Sequence, residues 1–135
     1  MKPVYVDTSA LIAIGNKNDS YHQQTVRVHK KLLKSKRYFL TTNGVILELF
    51  NTFSAIKQKS IAIRLFNLID NSKYWDCIPV DGLINKGIVR FQKRSDKNWS
   101  LVDCIGMRVA ENMGITDIFT TDHHFIQAGF NILIK

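Results

Sequence analysis

Short runs of β-branched and aromatic residues alternate with segments of helical spacing along all 135 residues, and this alternation constrains the fold more than any other feature. Strands separated by helices cannot close hairpins. They lie parallel, joined by right-handed crossovers, and helices cover both faces of the sheet. The runs Val4–Val6, Tyr38–Thr41, Trp75–Val80, Ile118–Thr121 and Ile132–Ile134 are read as strands. A helix is expected after Asp7 from Ala10 to Ile14, and another from an Asp19–Ser20 start, with Gln23 completing a capping box, to about Lys36. Further helices are expected from an Asn43 cap through Phe53, from Ser60 (with Ile61, Leu65, Leu68 and Ile69), from an Asp81 cap (with Leu83, Ile84, Ile88 and Phe91), and from Val102 to Met113 ahead of Gly114. One last turn is placed around Phe125. The expected fold is an α/β three-layer sandwich with a central parallel sheet, formed by a single domain over residues 1–135.

Charge then narrows the class of partner. Lysine and arginine number 19 against 11 acids, a formal charge of +8, which favours a polyanion, and nucleic acid ahead of a membrane surface. The alternative is that the charge serves solubility alone. Cys77 and Cys104 lie in apolar runs without a C-x-x-C spacing, as expected of a reduced compartment. The N-terminal apolar stretch is cut by Asp7, and no later segment approaches membrane-spanning length, so a soluble cytoplasmic protein is expected.

In an open parallel sheet, ligands bind outside the carboxyl ends of the strands. Asp7 and Asp122 each follow a strand there, whereas Asp117 begins its strand at the opposite edge and is excluded. Glu48 lies mid-helix; with the core face assigned to Ile46, Leu49, Phe50 and Phe53, it shares a small, polar face with Gly44, Asn51, Thr52 and Ala55. Asp103 falls in the first turn of its helix, held by the positive end of the helix dipole. Four gathered carboxylates repel one another, and a hard cation, magnesium or manganese, relieves that repulsion. Such a site suits phosphodiester hydrolysis. Singly, each acid also has a structural reading: Asp7 and Asp122 as caps, Glu48 as a solvated helix residue, Asp103 as the capping-box partner of Ser100.

The segments Val-Asp-Thr-Ser-Ala-Leu-Ile (6–12), Val-Ile-Leu-Glu-Leu-Phe-Asn (45–51), Ser-Leu-Val-Asp-Cys (100–104) and Thr-Thr-Asp-His-His-Phe-Ile-Gln-Ala-Gly-Phe (120–130), in this order, resemble a bacterial or archaeal PIN domain across nearly the whole chain. The resemblance implies a metal-dependent ribonuclease with magnesium or manganese bound at Asp7, Glu48, Asp103 and Asp122, supported by hydrogen bonds from Thr8, Ser9, Asn51 and Thr120. It further implies a VapC-like toxin of a type II toxin–antitoxin pair, inhibited by a small antitoxin that inserts a segment into the active-site groove, and commonly a homodimer. Two alternatives remain: a PIN-type RNA-processing nuclease without an antitoxin, and a non-catalytic RNA-binding module. A response-regulator receiver domain fits poorly, since Asp7 stands alone after its strand.

Arg90, Lys93, Arg94, Lys97 and Trp99 precede the third acid and form the candidate RNA contact, with Trp99 either stacking on a base or tucked into the core. Lys30, Lys31, Lys34, Lys36 and Arg37 are read as a solvated helix end, and His123 and His124 as solvated or capping.

Overall fold

The computed structural model describes residues 2–135. Five parallel strands, β1 (Pro3–Val6), β2 (Tyr38–Thr42), β3 (Trp75–Ile78), β4 (Asp117–Phe119) and β5 (Asn131–Ile132), form one sheet in the order β3-β2-β1-β4-β5. The chain builds outward from β1 to β3, then returns to place β4 on the other side of β1. That reversal opens the sheet between β1 and β4 at its carboxyl edge.

Period-two alternation splits the strand residues between two cores. Val4, Val6, Phe39 and Phe119 point to one face, where α1 (Thr8–Gly15), α2 (His22–Lys34), α3 (Asn43–Thr52) and α4 (Lys59–Asn71) bury Leu11, Leu32, Leu49 and Leu65. Tyr5, Leu40 and Ile118 point to the other, under Met107 of α6 (Leu101–Asn112) and Phe125 of α7 (His124–Gln127). Helix α5 (Ile84–Lys93) packs on α6 through Gly87, where a Cβ would come within 2.6 Å of Ile105. The expected three-layer parallel sandwich is the fold observed.

Several boundaries and faces differ from expectation. Helix α2 starts at His22 without the Ser20 capping box, because Asp19 accepts instead from the Tyr21 amide at 2.8 Å in a tight turn before it. It stops at Lys34, and Lys36 takes a left-handed φ of 55°. Thr42 rather than Asn43 caps α3, while Asn43 Oδ1 accepts from the Val80 amide at 3.0 Å and ties α3 to the loop after β3. The buried stripe of α3 is Val45, Leu49 and Phe53; Phe50 is left outside and packs edge-on against Phe66. On α4, Leu68 is likewise exposed beside the buried Ala62, Leu65 and Ile69. Asp81 lies in a turn, α5 begins after Leu83, and Ile84, Ile88 and Phe91 remain exposed. Strands β3, β4 and β5 all end earlier than their apolar runs, because the flanking residues turn away into loops.

Helix α6 can lie this close to β1 because residue 106 is glycine: a Cβ there would meet Tyr5 Oη at 2.6 Å. Gly106→Ala gains up to about 1 kcal/mol of helix propensity but overpacks a buried contact at a cost of about 1–3 kcal/mol. The expected outcome is a lower melting temperature by thermal circular dichroism. Gly82→Ala, with nothing within 4 Å of the new methyl, is expected to melt like the parent.

Candidate active site

All four predicted carboxylates line one cleft of about 530 Å³ at the carboxyl edge of the sheet. Asp7 sits at the N-cap position of α1, yet its side chain makes no cap bond. Instead Asp7 Oδ2 accepts from Ser9 Oγ and from Thr120 Oγ1, both at 2.9 Å, which binds the end of β1 to the end of β4. The backbone supports this bridge: the Asp7 amide donates to the Phe119 carbonyl at 3.1 Å, and the Thr121 amide to Ser9 Oγ at 3.0 Å.

The other three acids are oriented by local bonds. Thr8 Oγ1 donates to Glu48 Oε1 at 2.5 Å, holding the half-buried glutamate against the cleft. Asp103 closes the capping box of α6: its Oδ2 accepts from the Ser100 amide at 3.1 Å, and its amide donates to Ser100 Oγ at 3.0 Å. Asp122 Oδ1 accepts from the His124 amide at 3.0 Å, closing the tight turn that leads into the short α7. Structural and site roles therefore coincide at Asp103 and Asp122. Asn51 and Thr52 line the cleft without a side-chain hydrogen bond to any of the four acids among the described residues. Asp117 is held far from the cleft by Arg37 at 2.9 Å, Asn131 at 3.0 Å and Lys2 at 3.6 Å.

His124, read from the sequence as solvated or capping, instead lines the cleft, where it offers a ligand atom within 4.8 Å of those of Asp103 and Asp122. Its Nδ1 lies 3.1 Å from Asp103 Oδ2, within hydrogen-bond distance, and 3.2 Å from Asp122 Oδ2, so the imidazole sits between two carboxylates. The only available signal was its position two residues after Asp122, in the turn that Asp122 closes.

No lysine or arginine is among the cleft-lining residues. Burial therefore acts unopposed by a cation: it pushes the Asp7 carboxyl up to about 7, with the nearby Asp103 carboxylate adding to the shift. Burial also raises the Glu48 carboxyl, against the lowering effect of the Thr8 hydroxyl. Asp7, Glu48 and Asp103 each have one oxygen fixed by a protein donor, while the second carries no hydrogen bond among the described residues. Carboxylate oxygens with spare lone pairs, in a cleft lined by no lysine or arginine, fit a hard divalent ion, with the His124 imidazole beside Asp103 and Asp122.

The basic segment is arranged differently from expectation. Trp99 is 5% exposed and its Nε1 donates to Gln127 Oε1 at 2.9 Å, so its ring belongs to the core and is corrected as a base-stacking platform. The Arg94 guanidinium covers that ring at 4.9 Å and bonds Asp96 at 3.2 Å; Arg90 pairs with Glu111, and Lys97 lies 3.9 Å from Asp96. Lys93 has no ion pair among the described residues.

A carboxyl whose folded pKa is raised favours folding below its ordinary pKa, and that contribution is lost as pH rises through the folded value. Metal-free protein is therefore expected to lose stability between about pH 4 and about pH 7, by as much as roughly 1.4 kcal/mol per pH unit if Asp7 acts alone. Asp7→Asn is expected to flatten that slope and to melt higher than the parent at pH 8. Urea denaturation in chelator across the pH range checks this, and parallel slopes in the two proteins would refute it.

No protein-family model and no curated protein matches the chain. Solved structures do. The chain matches the Mycobacterium tuberculosis toxin VapC20, described as cleaving the sarcin–ricin loop, with a TM-score of 0.81 at 24% identity over 94% of this chain and 95% of that one. FitAcB from Neisseria gonorrhoeae matches with a TM-score of 0.65 at 14% identity, over 96% of this chain and 95% of the other. A Rickettsia felis VapBC2 structure, bound to a DNA fragment from the promoter, also scores 0.65 at 14% identity, covering 96% of each chain. The chain thus has the PIN-like fold of VapC structures along almost its whole length.

Proposed function

We propose that this chain is a divalent-metal-dependent endoribonuclease that hydrolyses RNA phosphodiester bonds, and that it serves as the toxin of a type II toxin–antitoxin pair. One observation carries the reading: in a protein of net charge +8, four carboxylates share a cleft that no lysine or arginine lines. Such a concentration of buried negative charge is unfavourable for folding and is repaid by binding a cation.

Asp7, Glu48, Asp103 and Asp122 would hold magnesium or manganese. The bound ion supplies activation of water and neutralisation of the charge that develops on phosphate oxygens. The protein's own contribution is positional. Ser9 and Thr120 fix Asp7, Thr8 fixes Glu48, and the capping box fixes Asp103, so the free carboxylate oxygens are ordered before any ligand arrives. The His124 imidazole lies between Asp103 and Asp122 and orients both. Asn51 and Thr52 form a polar wall beside Glu48.

The likeness to VapC20, a toxin by its description, supports the toxin reading and RNA as substrate. A small antitoxin occupying the cleft, a homodimeric assembly and a cytoplasmic location belong to the same proposal. No helix among the described residues is long and apolar enough to cross a membrane.

The test is cleavage of a single-stranded RNA by purified protein as manganese is titrated. Cleavage is expected to require the ion and to be lost in Asp103→Asn. Glu48→Gln is expected to raise the half-maximal manganese concentration on the order of 10-fold to 100-fold, as disturbed metal shells do. RNA binding without cleavage, indifferent to divalent ions, would replace the nuclease with an RNA-binding module. Expression of the chain alone is expected to arrest growth, and expression of Asp103→Asn is not; equal growth of both would remove the toxin role.

A further inference from the structure

A second pocket, of about 360 Å³, opens between α5, α6 and α7. It backs directly onto the acidic cleft: Asn98 and Ser100 line the cleft, while Trp99 between them lines the pocket. Helix α7 is shared in the same way, with His124 lining the cleft and Gln127, about one turn on, lining the pocket. The charges of the two cavities are opposite. Arg90, Lys93, Arg94 and Arg108 line the second pocket against a single carboxylate, Glu111.

These cations are placed and partly unsatisfied. The Arg94 guanidinium is fixed over the Trp99 ring and tied to Asp96, so it gives up little side-chain freedom on binding an anion. Arg108 lines the pocket, and its Nε is buried without a hydrogen-bond partner among the described residues, so the protein holds this cation without satisfying it. Lys93 has no ion pair among the described residues, and Arg90 is held by Glu111 alone. Several cationic N–H donors around a small pocket match the tetrahedral oxygens of a phosphodiester.

We propose that this pocket takes one backbone phosphate of the RNA strand that lies in the acidic cleft, with Arg108, Lys93 and Arg94 as donors and Glu111 as the competing anion that sets the affinity. The proposal rests on the ribonuclease reading above. It moves RNA recognition from a flat basic loop to a walled subsite, gives Trp99 the role of holding Arg94, and leaves Lys97 outside.

The test measures binding of a single-stranded oligoribonucleotide of about ten nucleotides, by fluorescence anisotropy in chelator at several salt concentrations. Arg108→Met is expected to weaken binding by about tenfold, the scale of one charge-assisted hydrogen bond. The slope of log affinity against log salt should fall by about 0.7, the value for one lost phosphate contact on a single strand. Glu111→Gln is expected to act in the opposite direction, tightening binding several-fold, which a folding defect would not do. Unchanged affinity and salt slope in both variants, or weakening in both, overturns the pocket. Cleavage of the same oligonucleotide by the parent protein with manganese separates the two readings. Cleavage with pocket variants that bind normally removes the pocket and keeps the nuclease; opposite shifts in the variants without parental cleavage keep the phosphate contact and remove the nuclease.

Discussion

The parallel register of β1 against β4 is the constraint on which the site depends. Pairing Val6 with Phe119 brings Asp7 alongside the segment Thr120–Asp122, although more than a hundred residues separate them in the chain. A one-residue slip would turn every side chain of β4 to the opposite core, exchanging Phe119 for Ile118, so two hydrophobic cores enforce the register that the cleft requires. The Ser9, Thr120 and Asp7 bridge then fixes the exit of both strands. Glu48 and Asp103 come from helices on opposite faces of the sheet, α3 and α6, and meet above this opening.

The same geometry explains the distribution of charge. Buried carboxylates normally acquire an arginine or lysine partner, as Asp117 does at the opposite edge. In the cleft, that partner is replaced by hydroxyls, amides and one imidazole, which orient the acids without neutralising them. On the far side of residues 98–100, four cations face a single carboxylate. The two charge fields therefore face opposite sides of one short segment, acidic on one side and basic on the other.

The parallel sheet and its layers were legible because period-two and period-3.6 patterns report burial directly, and a strand end in a parallel sheet fixes which rim Asp7 and Asp122 occupy; the set of four acids also needed the family resemblance, and the strand order, set by pairing between distant segments, was not legible. Helix starts were less legible. Asp19, Ser20, Asn43 and Asp81 are all good capping residues, yet tight turns took Asp19 and Asp81, and a long-range bond to the Val80 amide took Asn43. Phe50 and Leu68 carry the apolar character of core residues but lie on the outer edge of their stripes, a position that spacing alone does not distinguish from the inner edge. The burial of Trp99 depends on Gln127, and the placement of His124 on Asp103, contacts that no local pattern encodes.

Asp7, Glu48 and Asp103 divide their labour between their two oxygens. One oxygen of each accepts from a hydroxyl or amide that the fold must satisfy, and the other is left for a ligand. This division removes most of the entropy cost of ordering the ligand set, since the side chains are already fixed when the ion arrives. It also links stability to function at Asp103: the carboxylate that closes the capping box at the start of α6 is the one whose charge the cleft uses. An amide in its place keeps an oxygen for the Ser100 amide and removes only the charge, whereas alanine would remove both and unravel the first turn of the helix. The fold can therefore tolerate loss of the cleft's charge while the cleft cannot tolerate loss of the fold's hydrogen bonds, an asymmetry that follows from placing its carboxylates on residues that also terminate strands and begin helices.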